Sequence, residues 1–223
     1  MENLDIQKKT QRTYYLHSAN DFAHIEQIVN LMPSYGVSEL NTFEITDYFY
    51  ETPERLMNQL DASIRVRVVG NTQKLSIVCK NDGIRREFET DMEFGDAIQD
   101  KNRYILFLED KLQDMYTHKI DIDVVRMLKN LKVFLCIVTN RTQMHIINNT
   151  GFSGIVNLDR VMFKTKRHNV PESILEVKMD CLEDVANKTA FQRFVTDIEQ
   201  RVLITPMDET KYDAGKRIFG YEW

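Results

Sequence analysis

Arginine, lysine and glutamate recur at every second position in four short segments of the chain. These are Ile64-Arg65-Val66-Arg67, Ser76-Ile77-Val78-Cys79-Lys80, Arg85-Arg86-Glu87-Phe88-Glu89 and Leu175-Glu176-Val177-Lys178. Side chains of a β-strand alternate between its two faces. Arg65 therefore shares a face with Arg67, Arg85 with Glu87 and Glu89, and Glu176 with Lys178, while the residues between them are mostly apolar. A half-exposed strand with its charge in solvent has this pattern too. Four such strands from distant parts of one chain suggest charges that all face one interior, with an apolar outer wall. Several cations with a few carboxylates suit a polyanion such as triphosphate, with or without a divalent metal.

The elements that must position these residues follow from periodicity and turn chemistry. Strands are expected over 5–16, 43–51, 62–69, 74–80, 84–92, 131–141, 144–147, 155–164 and 173–179. Gly70-Asn71-Thr72 and Asn81-Asp82-Gly83 read as the turns of two hairpins, because Gly and Asp-Gly supply positive φ at little steric cost. Ser18 or Asn20 can cap a helix reaching about Met32, with Phe22, Ile25, Ile28, Val29 and Met32 as its apolar stripe. Helices are also expected over 95–117, 121–130 and 181–203. The sum is an α+β fold: one domain spanning 1–223, an antiparallel β-barrel (a tunnel) of about eight strands with covering helices.

Composition narrows the function classes. The chain has 223 residues, 43% of them hydrophobic and 28% charged, enough for a substantial core. A net charge of −5 argues against a surface that binds nucleic acid as a whole, though not against a local cationic site. Cys79, Cys136 and Cys181 are widely spaced and form no CxxC, so they read as reduced thiols. Met1 to Arg12 is polar and lacks the apolar core of a signal peptide, and no stretch approaches a membrane span, so a cytoplasmic location is expected. His17, His24, His118, His145 and His168 show no metal-ligand spacing and read as surface or structural.

Longer motifs carry a resemblance. Asp47-Tyr48-Phe49-Tyr50-Glu51-Thr52-Pro53 resembles the "YFDTP" segment of the triphosphate tunnel metalloenzymes, Ser63 to Arg67 their "LRIR" strand, and Leu75 to Lys80 their "LTLK" strand. Arg85 to Glu89 resembles their "R-x-E-x-E". Asn140-Arg141, Asn157-Leu158-Asp159-Arg160 and Ile174 to Lys178 follow in the family's order. The superfamily includes CYTH proteins, RNA triphosphatases and the VTC domains of polyphosphate polymerases. Lys8-Lys9-Thr10-Gln11-Arg12, Glu176-Val177-Lys178 and, faintly, Thr210-Lys211-Tyr212 lean toward VTC. The YFDTP-like and R-x-E-x-E segments lean toward CYTH. The CYTH opening strand "ExExK" has no counterpart, because residues 5–13 supply no pair of glutamates.

The resemblance implies a triphosphate, nucleoside triphosphate or polyphosphate as ligand. Arg65, Arg67, Lys80, Arg85, Arg141 and Lys178, with Lys8 and Arg12 behind them, are the expected phosphate contacts; arginine grips two oxygens as a planar fork and lysine acts as a point charge. Glu87, Glu89, Asp159 and Glu176 are the expected ligands of Mg²⁺ or Mn²⁺, since hard cations take carboxylate oxygen. Glu176 and Glu87 are the candidate catalytic carboxylates. Two classes of function stay open. One is a triphosphatase or VTC-like polyphosphate polymerase. The other is a binding module in which loss of the first-strand glutamates removed turnover. An RNA 5′-triphosphatase ranks behind both.

Overall fold

The computed structural model describes residues 11–18, 20–31, 35–81, 84–116, 128–148, 153–179 and 185–220. Among the described residues nine strands form one sheet: β1 (Gln11–Leu16), β2 (Tyr35–Glu51), β3 (Ala62–Val69), β4 (Thr72–Asn81), β5 (Ile84–Met92), β6 (Lys132–Asn148), β7 (Ser153–Lys164), β8 (Asn169–Met179) and β9 (Ile204–Pro206). Their hydrogen-bonded order is β5-β4-β3-β2-β6-β7-β8-β1-β9. The pairings of β1 with β8 and β9, of β2 with β3, and of β4 with β3 and β5 are all antiparallel. The helices are α1 (Asp21–Leu31), α2 (Leu56–Gln59), α3 (Asn102–Tyr116), α4 (Val185–Glu199) and α5 (Lys211–Phe219). The α+β class and antiparallel sheet expected from the sequence are present.

Some boundaries differ from the periodicity reading. The two strands expected over 131–141 and 144–147 are one seventeen-residue strand, β6. The intervening Thr142-Gln143 is polar but carries no turn former, so the chain runs on extended. Strand β2 begins at Tyr35 rather than near Phe43, and its added half is mostly exposed, which hides it from a search for apolar alternation. The short β9 and the helix α5 have too little apolar periodicity to be read from sequence. The Asp82-Gly83 turn, the 149–151 turn, Met32, Cys181, and most of the helix expected over 121–130 lie outside the described residues.

The chain divides into two compact units. The first comprises residues 1–44, 139–163 and 170–218, and the second 45–138, 164–169 and 219–223. In the second unit, Ile64, Val66, Leu75, Ile77 and Cys79 lie on one face of β3 and β4 and pack with Tyr104, Ile105, Leu108, Leu112 and Met115 of α3. In α3 those five recur at the spacing of one helical face. The hairpin between β3 and β4 turns at Gly70, whose φ of +54° lies in the left-handed region that glycine enters without penalty. In the first unit, Tyr14, Leu16, Met144, Ile146, Val156, Leu158 and Leu175 pack with Phe22, Ile25 and Val29 of α1 and with Phe191, Phe194, Val195 and Ile198 of α4. In both units one sheet face is apolar and sealed by helix. Alternation then obliges the polar residues to occupy the other face.

Glu51 shows why the segment after β2 is rigid. Its carboxylate is buried and accepts the backbone N–H groups of Thr52 at 2.9 Å, Met57 at 2.8 Å and Asn58 at 3.0 Å. The first turn of α2 thereby gains acceptors that it lacks within itself. Burial pushes the Glu51 carboxyl up from its ordinary value, outweighing the three amides that favour its charged form.

Candidate functional site

In the second unit the polar face begins with Asp47 on β2. The register sets Asp47 opposite Arg67, Arg65 opposite Ser76, and Ser76 opposite Glu89. Arg67 grips Asp47 with both arms of its fork, Nε to Oδ1 at 2.7 Å and Nη2 to Oδ2 at 2.9 Å. Arg65 donates Nε to Ser76 Oγ at 3.1 Å and Nη2 to Glu87 Oε1 at 3.0 Å, with Glu89 Oε1 at 3.5 Å and Asp47 Oδ1 at 3.9 Å. Arg85 Nη2 stands 3.5 Å from the other oxygen of Glu87. Two arginines this close on a half-buried face disfavour each other's charge. Burial and then Arg67 hold the Arg65 guanidinium below its usual range, and Asp47, Glu87 and Glu89 offset part of that.

Lys80 pairs in register with Arg85, but its ammonium is directed to Asp61, 3.7 Å away, and it is half exposed. It flanks the arginine cluster rather than joining it.

The first unit holds a second cluster. Arg141 of β6 makes a two-armed bond to Asp159 of β7, Nε to Oδ1 and Nη2 to Oδ2, both at 2.7 Å. Lys211, the first residue of α5, donates Nζ to Asp159 Oδ2 at 2.6 Å. Asp159 is fully buried. Burial alone would push its carboxyl up, but the Arg141 bonds and the Lys211 charge win and hold it below the ordinary range. Glu176 on β8 accepts Asn157 Nδ2 at Oε1 and Gln11 Nε2 at Oε2, each at 2.7 Å, and lies 3.5 Å from Arg141. Gln143 Nε2 in turn donates to Asn157 Oδ1 at 3.0 Å. His145, further along β6, is held between the hydroxyls of Ser38 and Ser153.

The start of α5 is fixed locally. Thr210 accepts the Asp213 N–H at 3.1 Å and donates its hydroxyl to the Asp213 carboxylate at 2.7 Å, a side-chain cap of the helix N-terminus. Arg217 of the same helix pairs with Glu209 at 2.7 Å, and Glu209 accepts the Tyr15 hydroxyl of β1 at 2.8 Å. Burial and that carboxylate push the Tyr15 phenol up to about 12.

Several residues singled out from sequence stand elsewhere. Arg12 alternates with Gln11 and Thr13 and shares its face of β1 with the core residues Tyr14 and Leu16, away from Glu176, which is opposite Thr13. Lys178 pairs in register with Gln11, but its side chain lies outside the described residues, as does Lys8. Asp47, Ser76, Gln11, Gln143, Asn157 and Lys211 belong to the clusters without being among the candidate site residues, though Asp47, Gln11, Asn157 and Lys211 fall inside the motifs that carry the resemblance. Asp47 opens the YFDTP-like segment, and the β2–β3 register that sets it opposite Arg67 is what identifies it.

A divalent metal needs open carboxylate oxygens. Glu87 and Glu89 face Arg65, both oxygens of Asp159 are taken by Arg141 and Lys211, and both oxygens of Glu176 are taken by amides. Among the described residues no group of three or more His, Cys, Asp or Glu is disposed to hold a metal ion. In this arrangement the described carboxylates are paired with arginine, lysine and amide donors.

The series of polar strand faces agrees with the family comparison: the model of the CYTH domain matches residues 6–199. The chain belongs to the CYTH family. Two solved structures share this CYTH fold at low identity. A proposed adenylate cyclase from Bacillus halodurans is 14% identical, with 92% of this chain and 95% of that one covered and a TM-score of 0.51. A proposed adenylyl cyclase from Hippeastrum with a dominant triphosphatase activity is 13% identical, with 93% and 94% covered and a TM-score of 0.50. At these identities the likeness concerns the fold. No curated protein matches the chain. No helix among the described residues is long and apolar enough to cross a membrane.

Proposed function

We propose that this CYTH chain binds the triphosphate group of a small molecule or of inorganic triphosphate and hydrolyses it. The observation that carries the reading is a polar strand face in each unit of a CYTH chain, one holding Arg65 and Arg67 and the other Arg141 by carboxylates of neighbouring strands. Arg65, Arg67 and Arg141 are the phosphate-gripping groups of this reading, with Arg85 and Lys80 at the margin. A phosphate entering beside Arg65 competes with Glu87 and Glu89 for the same N–H donors. Substrate binding is thus an exchange of one anion for another, and the released carboxylate is at hand to orient a water. Glu87 is the carboxylate proposed for that role, and Glu176, held by Asn157 and Gln11, is the candidate catalytic carboxylate of the other face. The family match supports triphosphatase chemistry over a VTC-like polymerase.

A second reading is a binding module without turnover. The Gln11 contact favours it: an amide on the opening strand engages Glu176 where CYTH proteins place metal-binding glutamates. The two readings part in one experiment. Purified protein is mixed with tripolyphosphate or nucleoside triphosphate in Mg²⁺, Mn²⁺ or chelator, with calorimetry for binding and phosphate release for turnover. The enzyme reading expects both signals, and the module reading expects binding alone. Absence of binding under every condition overturns both.

A further inference from the structure

A cavity of ≈ 310 Å³ in the second unit is lined by Pro53, Lys132, Val133, Phe134, Thr165, Lys166, Arg167 and His168. It plays no part in the arginine clusters. Its composition is unusual for a chain of net charge −5: three of the eight lining residues are Lys or Arg, and none is acidic. The arginines of the clusters are each held by carboxylates. Among the described residues no ion pair engages Lys132, Lys166 or Arg167.

The cavity wall is also built in advance. The turn between β7 and β8 is tied by Thr165, whose N–H donates to His168 O at 2.9 Å and whose hydroxyl accepts the N–H groups of Arg167 at 3.3 Å and His168 at 3.2 Å. The His168 ring stacks on Phe219, centroids 6.4 Å apart and planes inclined by 24°. The backbone of the turn is thus fixed before a ligand arrives, and ordering is left only to the exposed side chains. Pro53 and Phe134 supply an apolar surface of the kind that takes a flat ring, Phe134 sharing its face of β6 with Lys132, and small-molecule sites commonly combine such a surface with a few polar groups.

We propose that this cavity binds an aromatic phosphate monoester of about nucleoside monophosphate size. The ring lies against Phe134 and Pro53, and the phosphate is taken by Lys132, Lys166 and Arg167 beside the His168 imidazole. Charge-assisted bonds from uncommitted cations displace no internal carboxylate, and a flat apolar body fills the remaining volume. The site is independent of the triphosphate reading, because it uses none of the same side chains.

The test is calorimetry on the full chain with adenosine 5′-monophosphate, phenyl phosphate, inorganic phosphate and adenosine. The two aromatic phosphates should bind, and inorganic phosphate and adenosine should each be weaker by about tenfold or more. Replacing Lys166 and Arg167 together by Ala should weaken the aromatic phosphates by about tenfold, and both residues are exposed, so folding is retained. Phe134→Leu, which keeps an apolar side chain, should narrow the gap between phenyl phosphate and inorganic phosphate. Arg65→Ala should leave these affinities unchanged. The proposal is overturned by no binding at millimolar ligand, by equal affinity for inorganic phosphate, or by indifference to the Lys166 and Arg167 substitutions. It is overturned equally if Arg65→Ala abolishes binding, since the probe would then occupy the triphosphate cluster.

Discussion

The two charged clusters solve one problem with opposite degrees of closure. In the second unit Arg67 is 40% exposed and Glu89 46%, and beyond the buried Asp47 the cluster's carboxylates, Glu87 and Glu89, are open to solvent. In the first unit Arg141 is 14% exposed and Asp159 not at all, and every Asp159 oxygen has a charged donor. Water can replace a lost partner in the first case and not in the second. A half-solvated pair is worth little and exchanges partners readily. A sealed pair is costly to break, because the survivor is left as a buried, unpaired charge. The loose cluster is therefore suited to receiving an incoming anion, and the sealed one to holding its arginine in a single orientation.

The sharpest attempt to break this contrast is Asp159→Ala. It takes from Arg141 its two-armed partner, leaving Glu176 at 3.5 Å, and from Lys211 the buried carboxylate it binds, and a loss of about 3–5 kcal/mol in unfolding free energy is expected by urea titration. Glu87→Ala, its counterpart in the loose cluster, should cost under about 1 kcal/mol. Equal losses at the two sites would erase the distinction.

Next in size is Arg65→Ala, read as affinity for tripolyphosphate. A charge-assisted phosphate contact contributes roughly 1.5–3 kcal/mol, so a drop of about 10- to 100-fold is expected with the fold intact. An unchanged calorimetric affinity would remove Arg65 from the ligand's contacts. Glu176→Gln should alter that affinity by less than about threefold, since the phosphate-gripping cations remain, while most phosphate release disappears. Retained turnover would move the catalytic role from Glu176 to another carboxylate.

The smallest effect is a pH limb. The folded state holds the Asp159 carboxyl below its unfolded value, so its contribution is present above the ordinary aspartate pKa and is lost as pH falls through the lowered folded value. Glu51 runs the other way. Its raised folded value means that stability declines as pH rises from the ordinary glutamate pKa through the folded one. Urea midpoints measured against pH should show the first limb vanish in Asp159→Asn, with the second unaffected.

The loose cluster was legible in the sequence, and the sealed one only in part. Arg65, Arg67, Arg85, Glu87 and Glu89 lie on consecutive hairpin strands, where a period of two fixes the shared face. Arg141, Asp159 and Glu176 are placed by family motifs, but their closure depends on partners whose contacts no local periodicity announces, even where, as for Asn157 and Lys211, a motif contains them. Lys211 reaches Asp159 from a residue 52 positions later in the chain, at the head of a helix too polar to be read from periodicity. Gln11, Gln143 and Asn157 act as neutral amides, which a search for charge passes over. Arg12 shows the opposite failure, a cation of the expected type whose parity on β1 sets it on the core side.

The cap of α5 has a consequence for local opening. Lys211 is the first residue of that helix, and the Asp213 amide bound by Thr210 is two residues on. Any fraying that frees this amide also loosens the residue that completes the pairing of Asp159. Exchange of the Asp213 amide proton with deuterated solvent therefore clocks how often the buried carboxylate loses its lysine. A spectroscopic signal from a surface turn thus reports, residue by residue, on the breathing of a charge balance sealed inside the protein.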